Sequence, residues 1–362
     1  MQAAASGGAE TPKMSSSQSA AVTVRLTRDE DEAIWDRFVF DCEAGSFFHR
    51  IGWRKIFQTV FRLEPRYLLA ERSGQVVGVL PLVFQRSVLF GNALLSTPFC
   101  VEGGPLAVDD SVDAALTAGA VAIMEETKAP FIEFRSKRAR HLGWTLKANL
   151  YATFAGPISA DDKENLLAIP RKQRAVVRKT LESALVSEAE TNVDNLFGVY
   201  AESVRNLGTP VFSKRYFAEL MRVFGSDCDI VVVKDAGVAV SAVLNFYHKD
   251  TVLPYYGGGT SGARRTGAND FLYWEVMRRA AQRGYRRFDF GRSKAGTGAF
   301  AFKKNWGFQP YWLEYEYYLR SGNSIPDKNP LNPKYSLLIE AWKLLPVQLA
   351  NLIGPWLVRG LG

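Results

Sequence analysis

At 362 residues the chain is too long for a small stapled fold and has room for two domains or one elaborated one. Hydrophobic residues make up 47% and charged residues 23%, a composition that buries a large core instead of staying disordered. Cys42, Cys100 and Cys228 are far apart with no CxxC pair, and His49, His141 and His248 are equally scattered, which argues against a disulfide framework, a zinc cluster or a closely spaced Cys/His nucleophile pair. The 45 Lys and Arg against 37 Asp and Glu leave a net charge of +8, a bias toward anionic partners such as nucleic acid, phosphorylated substrates or acidic lipid.

Residues 1–21 are rich in Ala, Ser and Gly and lack the basic start and apolar run of a signal peptide, so a disordered leader and a cytoplasmic chain are expected. A first domain is read over residues 22–168. Its strand at Val22 to Leu26 precedes helices at Glu30 to Cys42 and Ile51 to Phe61. The apolar runs Tyr67 to Ala70 and Val76 to Val83 form a hairpin about a polar turn. Strands near Ala93 to Ser96 and Phe131 to Arg135 flank a helix at Val112 to Lys128. A second domain, 169–320, repeats this order: helices at Val193 to Leu207 and Ser213 to Phe224, strands at Asp229 to Lys234 and Val238 to Tyr247 about the turn Asp235-Ala236-Gly237, and a strand Thr251 to Tyr256 running into three glycines. A helix from Asn269 to Arg283 and a strand Arg286 to Phe290 complete it. The expected class is therefore α/β (α+β), two tandem domains with helices on mixed sheets.

Between the halves, the helix expected after Pro170 carries Arg171, Arg174 and Arg178 at spacings of three and four, a stripe that reads either as a solvated face or as an anion cradle. Residues 321–362 hold a linker with three prolines and an apolar tail. That tail is too interrupted to span a bilayer, and it reads as a helical hairpin packed on the domain or as an element lying in a membrane interface.

Chemistry concentrates in Phe288 to Phe308, "FDFGRSKAGTGAFAFKKNWGF". There a strand delivers Gly291-Arg292-Ser293-Lys294 into a Gly-rich loop, and a short helix presents Lys303 and Lys304. Together with "PYYGGGT" at Pro254 to Thr260 and "NDFLYWEVMRRAAQRGYRRFDFG" at Asn269 to Gly291, this segment resembles the second GNAT-like domain of the FemAB family. That family consists of tandem acyltransferase-type domains whose best-known members move aminoacyl groups from aminoacyl-tRNA to a peptidoglycan precursor. The resemblance runs from about Phe47 to Tyr318, and the tail is similar to that of the FemAB-related subgroup associated with exosortase/PEP-CTERM and exopolysaccharide loci.

The resemblance implies that Lys303 stabilises the oxyanion of a tetrahedral intermediate, with Asn305 standing where the family has glycine. It implies that Trp53, Arg54 or Lys55 in "FFHRIGWRKIF" contacts an anionic substrate. Arg292, Ser293, Lys304, Gly257, Asn269 and the Arg171/Arg174/Arg178 stripe are the further candidates for holding substrate. Asp289, Tyr255 and Tyr256 are candidates for positioning or deprotonating an attacking amine. A rival donor is acyl-CoA, because Arg264 and Gly267 satisfy half of the Arg-x-x-Gly-x-Gly pyrophosphate turn; Asn269, where the motif breaks, also reads as the N-cap of the next helix. No bound cofactor is expected; the donor, aminoacyl-tRNA or acyl-CoA, is a co-substrate. The expected acceptor is an anionic precursor, a nucleotide-sugar or a lipid-linked glycan or peptide. A non-catalytic docking protein of a polysaccharide or export system is the alternative.

Overall fold

The computed structural model describes residues 21–87, 91–325 and 333–360. The expected leader and the stretch of linker from 326 to 332 lie outside the described residues.

Two six-stranded mixed sheets form the frame. The first runs Glu64–Pro65, Leu82–Gln85, Ala93–Ser96, Phe131–Ser136, Glu314–Leu319, Thr145–Lys147; the second runs Ala155–Pro157, Arg287–Asp289, Thr251–Gly259, Val238–His248, Cys228–Asp235, Val186–Glu190. The repeat expected from the sequence is present in detail. Helices Glu32–Asp41 and Gly52–Thr59 precede the first hairpin, and Asp194–Asn206 with Lys214–Phe224 precede the second. Both hairpins close through two residues at positive φ, Ser73-Gly74 at 52° and 76° and Ala236-Gly237 at 49° and 82°. That geometry matches the right-handed twist of paired strands, which is why glycine ends both turns. In each half one parallel pair follows, Ala93–Ser96 with Phe131–Ser136 and Thr251–Gly259 with Arg287–Asp289.

The strand after each parallel pair is exchanged between the halves. Glu314–Leu319, from the end of the second half, pairs antiparallel with Phe131–Ser136, while Ala155–Pro157 pairs antiparallel with Arg287–Asp289. A small sheet of Ser293–Lys294, Tyr151–Thr153 and Tyr311–Trp312 joins the two at this crossing.

One apolar cluster spans both halves. Phe47 stacks on Phe246 with centroids 4.2 Å apart, and Trp53 lies 5.3 Å from Phe224. A Cβ on Gly52 would sit 2.7 Å from the Phe224 ring, so glycine lets helix Gly52–Thr59 approach helix Lys214–Phe224. Trp53 is fully buried and donates from Nε1 to the Phe47 carbonyl at 3.1 Å. This corrects its assignment to substrate binding, since a side chain with no exposed surface meets no substrate.

The tail forms two helices, Pro333–Leu344 and Val347–Val358. Ala350, Gly354 and Val358 make the buried face of the second, with Gly354 close against Val211. Arg205 donates to the Lys343 carbonyl and Gln85 to that of Arg359, so the hairpin packs on both halves. Among the described residues no helix is long and apolar enough to cross a membrane.

Candidate active site

Ligands of open α/β sheets bind beyond the carboxyl ends of parallel strands, and here two such ends meet. From the second half, strand Arg287–Asp289 leads into Gly291 and Arg292. Helix Gly298–Asn305, capped by the Thr297 hydroxyl, then carries Lys303 back over that turn. The Lys303 ammonium is buried and donates to the carbonyls of Gly291 at 2.8 Å and Arg292 at 3.2 Å. Burial holds its pKa down at about 7, Asp289 opposing the drop and Arg292 adding to it. Asp289 Oδ1 accepts from the Thr153 hydroxyl at 2.7 Å and from the Gly291 N–H at 2.8 Å. Ser293 is buried beside this turn, and its hydroxyl has no partner among the described residues.

From the first half comes the loop after Ala93–Ser96. Thr97 and Phe99 sit at φ of 43° and 68°, a conformation rare for residues with a Cβ and costly for a β-branched one. The surroundings hold it there. Arg135 donates to the carbonyls of Thr97 at 3.2 Å and Cys100 at 3.1 Å, Tyr255 to that of Phe99 at 3.1 Å, and Tyr315 to that of Val101 at 2.6 Å. The loop delivers Glu102, which is buried and lies 3.1 Å from the Lys137 ammonium. Burial pushes the Glu102 carboxyl upward, against the pull of Lys137. Asp289 acts electrostatically on Lys303, Lys137 and Glu102 alike, so the four form one charge cluster across the junction. Arg292 Nη1 donates to Tyr315 Oη at 3.0 Å, and its guanidinium stacks over the Tyr151 ring at 4.7 Å. Arg292 thereby links the Lys303 turn to the Glu102 loop through Tyr315.

A cavity of about 480 Å3 opens on the first-half side of this cluster, lined by Glu102 and Lys137 but not by Asp289 or Lys303. Arg135, Lys137, Arg138, Arg140 and His141 line it against only Glu43 and Glu102 among acids. Although burial works against it, the hydrogen bonds His141 donates to Asp113 and Glu316 hold its pKa up to about 9; the wall's cationic character comes from Arg138 and Arg140, neither of them ion-paired among the described residues.

The remaining candidates fall in three places. Tyr255 and Tyr256 sit in the shared core, Tyr256 sharing a 2.6 Å hydrogen bond with Tyr216. Burial raises both phenols well above their usual range, which corrects their reading as bases. Gly257 is a close-approach position, where a Cβ would lie 3.1 Å from Val243 and 3.3 Å from the Tyr273 hydroxyl. Lys55 and Arg54 do not line the cavity and pair with Glu32 at 2.8 Å and Asp29 at 2.9 Å.

Arg171, Arg174 and Arg178 line a separate groove of about 500 Å3 along helix Arg171–Leu181, with Lys179 beside them. Among the described residues none of these four is ion-paired. The helix begins next to the end of helix Gly298–Asn305, where Pro170 meets Gly307, and Lys304 is exposed on that helix. At its other end Thr180 lies against Gly267, leaving 2.8 Å to a Cβ placed there. Thr180 thus crowds the turn at Gly267, while Arg264 and Arg265 stay exposed. Arg264 is exposed on the six-residue helix Ser261–Thr266, and Asn269 accepts from the Ser241 hydroxyl at 2.7 Å instead of capping a helix. Gly267 is the residue preceding helix Ala268–Gln282, which corrects the N-cap expectation for Asn269.

Sequence reasoning missed Glu102, Arg135, Lys137 and Tyr315. Two signals pointed there: the pair Gly103-Gly104 before Pro105, and the basic run "RSKRAR" at Arg135 to Arg140 immediately after a strand. Gly103 has no room for a side chain, since a Cβ would sit 1.8 Å from the Thr97 hydroxyl.

Residues 169–304 match the family model described as an acetyltransferase (GNAT) domain. The whole chain is similar to the crystal structure of FemX, at 16% identity and a TM-score of 0.65 over 88% of this chain and 100% of that one. It is also similar to a tandem GNAT protein from the clavulanic acid biosynthesis pathway, at 13% identity and a TM-score of 0.52 over 84% and 100% of the two chains. A third likeness is to the C-terminal domain of a putative lysylphosphatidylglycerol synthetase from Agrobacterium fabrum, at 14% identity and a TM-score of 0.53 over 79% and 91%. No curated protein sequence matches the chain. The fold is that of two tandem GNAT domains, as the sequence led one to expect.

Proposed function

We propose that the chain is an N-acyltransferase that moves an aminoacyl group from aminoacyl-tRNA to the amine of an anionic cell-envelope precursor, a nucleotide-sugar or a lipid-linked glycan or peptide. The observation that carries this reading is the buried Lys303 ammonium at the junction of the two halves, facing the charge cluster of Asp289, Lys137 and Glu102. The acceptor sits in the cationic cavity and presents its amine to the ester carbonyl. As the C–N bond forms, charge develops on the carbonyl oxygen and Lys303 stabilises it in a site largely closed to water. Glu102, whose affinity for a proton is raised by burial, takes the proton lost by the amine. The ester C–O bond then breaks, and the ribose oxygen leaves with the proton that Glu102 took from the amine.

Two observations favour tRNA as donor. Helix Arg171–Leu181 offers a row of unpaired cations that starts beside the catalytic helix, suited to a polyphosphate backbone. The half-motif for pyrophosphate is crowded by Thr180 at Gly267, and Asp270, held by Gln173 and by Trp306 at 3.1 Å, occupies the first turn of the helix an anion would face. The match of residues 169–304 to an acetyltransferase domain favours the second reading, an acyl-CoA donor.

Titrating charged tRNA and acyl-CoA against the protein and its R171E/R174E/R178E variant separates them. Expected is tRNA binding that weakens steeply with salt and drops at least ~100-fold in the variant, with no acyl-CoA protection against heat. Saturable acyl-CoA binding abolished by Arg264→Ala overturns the tRNA reading.

A further inference from the structure

The C-terminal hairpin leaves one face bare. In helix Val347–Val358 the buried residues Ala350, Gly354 and Val358 recur every four positions, while Leu349, Leu352, Ile353 and Trp356 form the opposite stripe. Leu352 is 77% and Trp356 63% exposed. The preceding helix of the hairpin also carries exposed leucines, with Leu337 81%, Leu338 67% and Leu344 85% exposed. Elsewhere large exposed apolar side chains occur singly or in small numbers on any one element, as is ordinary for a folded chain. An exposed apolar stripe of this kind, four side chains along one helix, marks a surface that meets another apolar phase.

The charges beside the stripe identify that phase. A groove at the end of helix Val347–Val358 is lined by Arg62, Arg215 and Arg359, all exposed, and among the described residues none of them is ion-paired. Glu340, the hairpin's acidic residue, is neutralised by Lys343 at 2.7 Å. A second copy docked on this face by two-fold symmetry would bring three unpaired arginines toward three more, a repulsive arrangement. An anionic bilayer surface matches both features at once: acyl chains take the leucines, tryptophan sits at headgroup level, and the arginines meet phosphates. Neither helix is long enough to cross, so the hairpin lies in the interface plane.

We infer that the outer face of the hairpin seats this protein on an anionic membrane surface. This attachment is independent of which acyl donor is used. Because the inner face packs on Val211 and on helix Asp194–Asn206, the protein stays folded whether bound or free.

The test is co-sedimentation of the full chain with phosphatidylcholine vesicles, with and without phosphatidylglycerol, at low and high salt. The wild-type chain should bind the phosphatidylglycerol vesicles at least ~10-fold more tightly than neutral ones, and high salt should erase most of that difference. The L352D/W356D variant alters only exposed positions, and should lose binding by at least ~10-fold with an unchanged melting temperature. A wild-type chain that stays in the supernatant at low salt overturns the inference. So does a variant that binds as before, or a concentration-dependent dimer that the same substitutions dissociate while vesicles go unbound. Should the variant fail to fold, quenching of wild-type tryptophan fluorescence by brominated phosphatidylglycerol decides the question, and no quenching overturns the inference.

Discussion

Replacing Lys303 by Met separates catalysis from stability because the two respond in opposite directions. Met keeps most of the apolar stem and removes the ammonium, so loss of one oxyanion contact should lower turnover by ~100- to 1000-fold, equivalent to about 3–4 kcal/mol. Stability is a balance. An unfolded lysine titrates near ~10.4, whereas the buried Lys303 titrates at about 7. Between those values the unfolded chain binds the extra proton, so stability rises with pH across that window and the penalty is complete below it. At neutral pH the penalty is roughly 4 kcal/mol. Against it stand the Gly291 and Arg292 carbonyls, which Met would leave without their donor at roughly 1–3 kcal/mol each. The variant should therefore melt near the wild-type temperature at neutral pH. It should then lose about 2 kcal/mol relative to wild type by pH ~9, where half of the wild-type penalty has been relieved. Urea unfolding of both proteins at the two pH values, beside turnover with the true substrates, measures both effects. Unchanged turnover removes Lys303 from the chemistry, and a stability difference that ignores pH refutes the depressed ammonium.

Two further outcomes follow from the cavity. Glu102→Gln keeps the shape of the buried loop but removes the proton acceptor, so kcat should fall by ~100-fold with acceptor binding little changed; equal rates with Gln would transfer the base role to the substrate itself. His141 bridges Asp113 and Glu316, and its raised pKa stabilises the fold fully below about 6.5, with the benefit lost as pH rises through about 9. His141→Gln should accordingly cost about 1–2 kcal/mol more at pH ~6 than at pH ~10 after allowance for solvent screening, and a pH-independent cost in urea unfolding would contradict the charged bridge.

The order of elements was legible because each half writes it in local terms. Strand residues alternate or run apolar, both turns end in glycine where φ is positive, and the helices carry their own apolar faces. Lys303 was singled out through a resemblance, since Phe302, Trp306 and Gly307 fall with it on the end of one short helix and just beyond it. Trp53 misled because its segment resembles a substrate-binding helix of the family, whereas this fold turns the side chain into the shared core. Glu102 was missed because the glycine pair in "FCVEGGP" marks a turn without revealing burial. Its raised pKa is produced by a loop that Arg135, Tyr255 and Tyr315 hold in place from three distant points of the chain.

The strand exchange explains why the site in particular resists reading from sequence. Each half alone contains a parallel pair and the loop at its carboxyl end, but the strand that completes each sheet arrives from the other half. Tyr315 lies on the strand donated to the first sheet and bonds Val101 there, while receiving Arg292 from the second half. Thr153, just before the strand donated to the second sheet, orients Asp289. A cut between residues 168 and 169 would separate both strands from their partners, and with them the hydrogen bonds that set Asp289 and the Glu102 loop. The duplicated pattern seen along the sequence thus describes how the chain was assembled, whereas the charge cluster exists only because the two copies are threaded through each other.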